Sequence, residues 1–216
     1  MTNRSTFSWD LYYQAPVVGI LRGMSEGTVL EIAKAYQEAG FYTLEITMNT
    51  TGAAEIISSV KSRFPNMNIG AGTVCNVNHY REARAAGAQF IVMPIIKEDV
   101  IKQSVSEQIP IFPGAYSPTE IYRAWELGAS AVKVFPATQL GVQYIRDVAA
   151  PLDKVKLLPT GGVSKDNIRA FFEAGAMGVG MGSSLFYKEF VEQHDFDGLK
   201  RHFAQIKQQI SEFLKM

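Results

Sequence analysis

Residues 131–136 read Ala131-Val132-Lys133-Val134-Phe135-Pro136. A run this short and this apolar suits a buried strand, and Pro136 ends it where a missing N–H does least harm. Seven further runs of the same kind lie along the chain: Val17 to Leu21, Thr43 to Met48, Asn68 to Thr73, Phe90 to Pro94, Ile109 to Gly114, Val155 to Thr160 and Met177 to Gly182. The segments between them carry apolar residues at helical spacing, as at Val29, Ile32 and Tyr36, or at Leu199, Phe203, Ile206 and Ile210. Parallel strands joined by helices leave two architectures, an open doubly wound sheet or a closed eight-stranded barrel. Eight runs, and no G-x-G-x-x-G after the first of them, predict an α/β fold that is a single (β/α)8 TIM barrel. Phe7, Trp9, Leu11 and Tyr12 predict a short N-terminal helix covering one end, and the stretch after Phe190 predicts the final helix.

Boundary residues agree with this phase. Ser117-Pro118-Thr119-Glu120 supplies a capping hydroxyl, a proline at the first helical position and a glutamate that can bond back, so a helix starts after the fifth run. Gly40, Gly87, Gly128 and Gly175 each follow an alanine or leucine at a predicted helix end, where the left-handed residue is usually glycine. The alternating recurrence resembles an internal repeat, but helix-to-strand loop chemistry demands the same residues and is the preferred reading.

The chain has 216 residues, 47% of them hydrophobic and 19% charged, enough apolar material for one well-cored domain spanning residues 1–216. Lys plus Arg equals Asp plus Glu at 21 each, so no excess basic field attracts nucleic acid or anionic lipid. The expected partner is a small molecule. One cysteine, Cys75, excludes an internal disulfide framework and fits a reducing cytoplasm. Residues 1–10 hold no apolar signal-like core, and the longest apolar runs are too short to span a bilayer, so a soluble, cytoplasmic protein is expected.

Two residues break the apolar rule. Alternate side chains of a barrel strand face the interior and the helix layer. In Thr43-Leu44-Glu45-Ile46-Thr47-Met48 the apolar set faces the helices, which turns Glu45 and Thr47 inward. By the same parity Lys133 faces inward with Ala131 and Phe135. Charges buried without partners are costly, so the two form a structural ion pair or have a task. Interior ionisable groups near the C-terminal ends of barrel strands are where this fold keeps its chemistry, which favours a nucleophilic amine. An amine attacks a carbonyl only when neutral, and at an ordinary pKa of about 10.4 only about one lysine in 2,500 is neutral near pH 7. Desolvation by Val132, Val134 and Phe135 would lower that pKa, whereas a close Glu45 carboxylate would oppose it, so contact through substrate or water is expected.

Arg22, one residue past Leu21, sits where a guanidinium could hold a carboxylate or make a rim salt bridge. Thr160-Gly161-Gly162 and Gly180-Met181-Gly182-Ser183-Ser184 follow the last two strands, where barrels of this class often hold phosphate, and a helix expected near Ser164 would add its positive end. Together they predict a site for a phosphate or carboxylate tail. His79, His194 and His202 lack metal-ligand spacing and read as surface residues, so no metal site is expected. Phe171-Phe172 and Phe186-Tyr187 read as helix-packing or subunit-contact residues.

Four stretches also carry a family resemblance: Gly40-Phe41-Tyr42-Thr43-Leu44-Glu45-Ile46-Thr47, Gly70-Ala71-Gly72-Thr73-Val74, Gly128-Ala129-Ser130-Ala131-Val132-Lys133-Val134-Phe135-Pro136-Ala137 and Pro159-Thr160-Gly161-Gly162-Val163. In this order and spacing, from about Pro16 to Tyr187, the chain resembles the 2-keto-3-deoxy-6-phosphogluconate (KDPG) and 4-hydroxy-2-oxoglutarate (KHG) aldolases. The resemblance implies a metal-free, cofactor-free class I lyase, usually a homotrimer. It makes Lys133 the Schiff-base lysine and Glu45 the general acid/base. Arg22 and Thr73 would hold a pyruvate-like carboxylate, Pro94 would lie beside them, and Gly161, Gly162 and Ser183, with Thr160 adjoining, would bind a phosphate. The implied partners are a 2-keto acid substrate and pyruvate. Two departures bear on the aldehyde half. Met48-Asn49 stands where many members carry a residue followed by arginine, and Met93-Pro94-Ile95 replaces a serine-proline-small pattern. Asn49 removes a fixed positive charge, which keeps a galactonate-type acid in play. The rival readings are a phosphate-binding barrel isomerase or synthase working without an imine, and a sugar-acid binding protein without turnover.

Overall fold

The computed structural model describes residues 6–214. Nine short strands alternate with helices in chain order: α1 (Trp9–Gln14), β1 (Val17–Leu21), α2 (Glu26–Glu38), β2 (Thr43–Thr47), α3 (Ala53–Arg63), β3 (Asn68–Gly72), α4 (Val77–Ala85), β4 (Ile91–Val92), α5 (Glu98–Ser106), β5 (Ile111–Phe112), β6 (Gly114–Ala115) and α6 (Pro118–Glu126). Then follow β7 (Val132–Val134), α7 (Ala137–Ala149), β8 (Leu157–Pro159), α8 (Ile168–Glu173), β9 (Val179–Met181), α9 (Lys188–Glu192) and α10 (Phe196–Gln209). Each of the eight apolar runs contributes a strand. The run 109–114 contributes to two, because Pro113 has no N–H to donate and interrupts the ladder between β5 and β6.

All pairings between strands are parallel, in two curled sheets ordered β5-β4-β3-β2-β1-β9 and β6-β7-β8. The expected eight-stranded barrel is therefore present as a curled, barrel-like sheet whose ladder is not continuous. One junction is Pro113, whose carbonyl still accepts from the Lys133 N–H at 2.9 Å. The other lies between β8 and β9, where a single parallel bridge joins Thr160 to Gly180 and the Met177 N–H reaches the Leu157 carbonyl.

Side-chain parity follows the sequence reading. Leu44, Ile46, Ile69, Ile91, Val132 and Val134 pack outward against helix residues such as Ile32, Ile57, Ile101 and Ile145. Val18, Phe90, Val92, Phe112, Ala131 and Leu158 form a separate interior cluster, sealed at the strand N-termini by Phe7, Trp9 and Tyr12. The N-terminal helix thus covers one end, as expected. Buried Asn68 fastens it there, its amide accepting from the Ser8 N–H and donating to the Ser8 carbonyl, both at 2.8 Å. Ser8 in turn caps α1 by accepting from the Leu11 N–H.

The capping box at Ser117 and Glu120 is formed, with Pro118 opening α6. Gly40, Gly87, Gly128 and Gly175 all have positive φ, between 79° and 97°, directly after helices. Three expectations need correction. The final helix is two helices, α9 and α10, broken at His194 with φ 54°. The helix after β8 starts at Ile168 instead of near Ser164, because residues 164–167 form a turn held by the Asn167 side chain. His202 is not a surface residue: it is 5% exposed, and burial lowers its pKa. Of the other histidines, His194 is exposed and His79 half-buried. Phe171, Phe172 and Phe186 are packing residues as expected, whereas Tyr187 is 40% exposed.

Candidate active site

β2 and β7 bring the two anomalous residues into the interior. Glu45 is 1% exposed and its Oε2 has no hydrogen-bond partner among the described residues. Its room comes from β3: a Cβ on Gly72 would overlap the Glu45 carboxylate, standing 2.6 Å from Cδ. Burial pushes the Glu45 carboxyl up to about 7, although the positive charges of Lys133 and Arg22 pull the other way. Lys133 is 5% exposed, with Nζ lying 4.7 Å from the centre of the Phe135 ring. Burial lowers the Lys133 pKa, opposed by Glu45 and assisted by Arg22.

These opposite shifts belong to one pair of groups. Their mutual attraction pushes each toward its charged form, and desolvation outweighs it at both. Among the described residues no ion pair within 4.0 Å joins them. The structural ion pair considered above is thus absent among the described residues.

Arg22 is exposed at the C-terminal end of β1 and makes no ion pair with the described residues, so the rim salt bridge is absent too. Its turn is held in place. The N–H of Gly23, at φ 65°, donates to Thr50 Oγ1 at 2.9 Å, and Thr50 Oγ1 lies 3.1 Å from Thr47 Oγ1. Inward-facing Thr47 therefore ties the Arg22 turn to the strand that carries Glu45.

Thr73, just past β3, has φ 55°. That conformation is rare for a β-branched residue and costs on the order of 1–3 kcal/mol, a strain that clusters at functional sites. The half-buried Cys75 thiol donates to the Thr73 carbonyl at 3.5 Å. Pro94 follows β4, and its backbone packs so closely on Gly114 that any Cβ there would collide with it. Gly114 is the register partner of Lys133, which sets Pro94 beside the lysine strand.

Above this interior a cavity of about 590 Å³ is lined by Arg22, Phe135, Thr160, Gly161, Gly162 and Ser183, with Lys188 and Glu192 of α9 at its outer wall. Lys133 and Glu45 do not line it; both are buried in the barrel interior, and Phe135 both lines the cavity and contacts the lysine. Among the described residues the N–H groups of Gly162, Val163, Ser183 and Ser184 have no hydrogen-bond acceptor. Gly161 and Gly162 have φ of 91° and 75°, and a Cβ on Gly162 would stand 2.8 Å from Thr138 Cα, so only glycine suits that turn. Such unpaired donors around a concavity suit an anion. Thr160 is buried, its Oγ1 occupying the space that a Cβ on Gly180 would need.

The structure thus brings Glu45, Lys133, Thr73, Pro94 and Arg22 to one end of the barrel, with Thr160, Gly161, Gly162 and Ser183 beside them. Sequence reasoning missed Thr50, the strain at Thr73, and Lys188 and Glu192, whose short helix begins before the stretch read as the final one. Thr50 follows inward Thr47 by three residues, a spacing that could have flagged it. Asn49, two residues past β2, is exposed. No group of three or more His, Cys, Asp or Glu that could hold a metal ion exists among the described residues.

Residues 10–202 match the family described as KDPG and KHG aldolase. The 2-dehydro-3-deoxy-6-phosphogalactonate aldolase of Escherichia coli (strain K12) is 34% identical over 173 residues, 79% of this chain and 84% of that protein. The 2-dehydro-3-deoxy-phosphogluconate aldolase of Dickeya dadantii is 31% identical over 91% of this chain and 93% of its own length. A solved KDPG aldolase from Legionella pneumophila, with pyruvate captured at low pH as a covalent carbinolamine intermediate, superposes with a TM-score of 0.82 at 25% identity, over 91% of this chain and 96% of that one. This chain belongs to the KDPG and KHG aldolase family.

Proposed function

We propose that this protein is a class I aldolase that cleaves a 2-keto-3-deoxy-6-phospho sugar acid, foremost the gluconate form, to pyruvate and glyceraldehyde 3-phosphate. The same chemistry would turn 4-hydroxy-2-oxoglutarate into pyruvate and glyoxylate. The observation that carries the reading is the buried pair Lys133 and Glu45, unpaired with each other and shifted in opposite directions toward their neutral forms.

Neutral Lys133 attacks the C2 ketone, and loss of water leaves a protonated imine. Glu45, as carboxylate, takes the C4 hydroxyl proton through a water; the C3–C4 electrons flow into the imine, leaving an enamine and releasing the aldehyde. Glu45, now protonated, returns a proton to C3, and hydrolysis frees pyruvate and Lys133. A carboxyl near 7 suits both halves of that cycle. Arg22 and Thr73 hold the C1 carboxylate, Pro94 and Phe135 shape the wall around the imine, and the N–H groups of Gly162 and Ser183, with Gly161 and Thr160 shaping the turn, receive the phosphate.

The galactonate epimer is the second reading, supported by the Escherichia coli relative and by exposed, uncharged Asn49 just past the strand that carries Glu45. Incubation with each acid, reading pyruvate by coupled reduction to lactate, separates the two. Pyruvate from one or both phosphorylated acids supports the function; none from either, with folded protein, overturns it. Assembly as a homotrimer and a cytoplasmic site of action belong to the same proposal. A hollow of about 650 Å³ between α6 and α7, walled by Tyr122, Tyr144, Pro151 and Leu152, offers apolar surface for a subunit contact. Among the described residues no helix is long and apolar enough to cross a membrane.

A further inference from the structure

The two glycine turns of the tail site are tied together from behind, and the tie ends on a buried histidine. The Ser184 hydroxyl donates to the Val163 carbonyl, crossing from the turn after β9 to the turn after β8. The Ser184 carbonyl in turn lies 3.0 Å from Nε2 of His202 on α10. A carbonyl only accepts, so Nε2 carries the proton. No other donor among the described residues reaches that carbonyl. His202 is itself held, its ring 4.4 Å from that of Tyr187 and its helix rooted in the core through Leu199, Phe203 and Ile206.

Ser184 is thus gripped at its carbonyl and at its side chain. With its carbonyl and side chain both held, the Cα of Ser184 is fixed and with it the position of the backbone nitrogen, whose N–H borders the cavity without an acceptor among the described residues. We propose that His202 is a positioning residue for substrate recognition: through the Ser184 carbonyl it aims the Ser184 arm of the cradle at the phosphate monoester end of the substrate. The inference rests on the cavity being the tail site. It assigns a role to a residue that touches neither the substrate nor the reacting atoms.

The test compares His202→Phe, which keeps a ring and loses the donor, with His202→Gln, which loses the ring and keeps an N–H. Cleavage kinetics are measured with the phosphorylated 2-keto-3-deoxy acid and with its unphosphorylated counterpart, together with competitive inhibition by inorganic phosphate. Trapping of pyruvate by borohydride reports the fold and the imine site independently of any tail. His202→Phe is expected to raise KM for the phosphorylated acid, and the inhibition constant of phosphate, by about ten-fold, the scale of one charge-assisted hydrogen bond. Its kcat, its pyruvate trapping and its KM for the unphosphorylated acid should stay within about two-fold, and His202→Gln should recover most of the loss. Equal KM changes for both acids, or no change with either variant, would overturn the role of His202 while leaving the tail site standing. A parent enzyme that shows no preference for the phosphorylated acid and no inhibition by phosphate would overturn the tail site, and this inference with it.

Discussion

Replacing Glu45 by glutamine should stabilise the protein at neutral pH while crippling its turnover, and both effects follow from one buried carboxyl. Folding raises the Glu45 pKa from an ordinary 4.5 to about 7, mainly by burial. Between those values the folded chain holds a proton that the unfolded chain has released, so stability falls as pH rises through the window. At about 1.36 kcal/mol per pKa unit, the loss saturates at about 3 kcal/mol once the pH passes 7. Glutamine has nothing to ionise. The stability of Glu45→Gln relative to the parent should therefore climb by about 3 kcal/mol between about pH 4 and about pH 8. Urea denaturation across that range measures the difference directly. The same variant should still trap pyruvate as an imine, because Lys133 is intact, while cleavage falls by about 10²–10⁴-fold, the usual contribution of a positioned acid/base. A stability difference that is flat from about pH 4 to about pH 8 would refute the raised carboxyl, because the linkage leaves no other way for the proton to be held.

Three further perturbations probe the supports of the site. Gly72→Ala puts a methyl group onto the Glu45 carboxylate, so it should cost about 1–3 kcal/mol in urea denaturation and at least about ten-fold in turnover, with imine trapping retained; normal turnover would place the Glu45 side chain elsewhere. Arg22→Ala should raise KM for pyruvate in the condensation direction by about ten-fold or more, the loss of a charged hydrogen bond, and an unchanged KM would remove Arg22 from carboxylate binding. Thr50→Val deletes the acceptor of the Gly23 N–H, and should reproduce a smaller version of the Arg22 defect that Thr50→Ser restores; a stability loss with no change in KM would reduce the tether to packing.

The strands were legible because a parallel strand is covered on both faces, leaving short, nearly unbroken apolar runs between turn residues. Against that background Glu45 and Lys133 stood out, and strict alternation was enough to aim them. Helix ends governed by local chemistry were equally legible, as at Ser117 to Glu120 and at Gly128. What the sequence hid is non-local. His202 reads as a polar residue on an amphipathic helix, and only the fold reveals that a carbonyl 18 positions away accepts a hydrogen bond from its ring. Asn167 precedes α8 but makes no side-chain cap bond to it, because its amide accepts from the Ser164 N–H and donates to the Gly162 carbonyl, and α8 begins only at Ile168. The alternatives for Arg22 were inseparable by position alone, and among the described residues it has no ion-pair partner that would make it a rim salt bridge. Pro113 lay inside a run that otherwise reads as one strand, and its missing N–H splits the ladder there without displacing the chain.

The central claim is that Lys133 is the nucleophile, and covalent capture tests it most directly. The protein is incubated with pyruvate and borohydride, its intact mass is measured, and the modified peptide is mapped. One pyruvate-derived adduct per chain is expected, located on Lys133 and absent from Lys133→Ala. An adduct on another lysine, or none on protein shown to be folded, would contradict it.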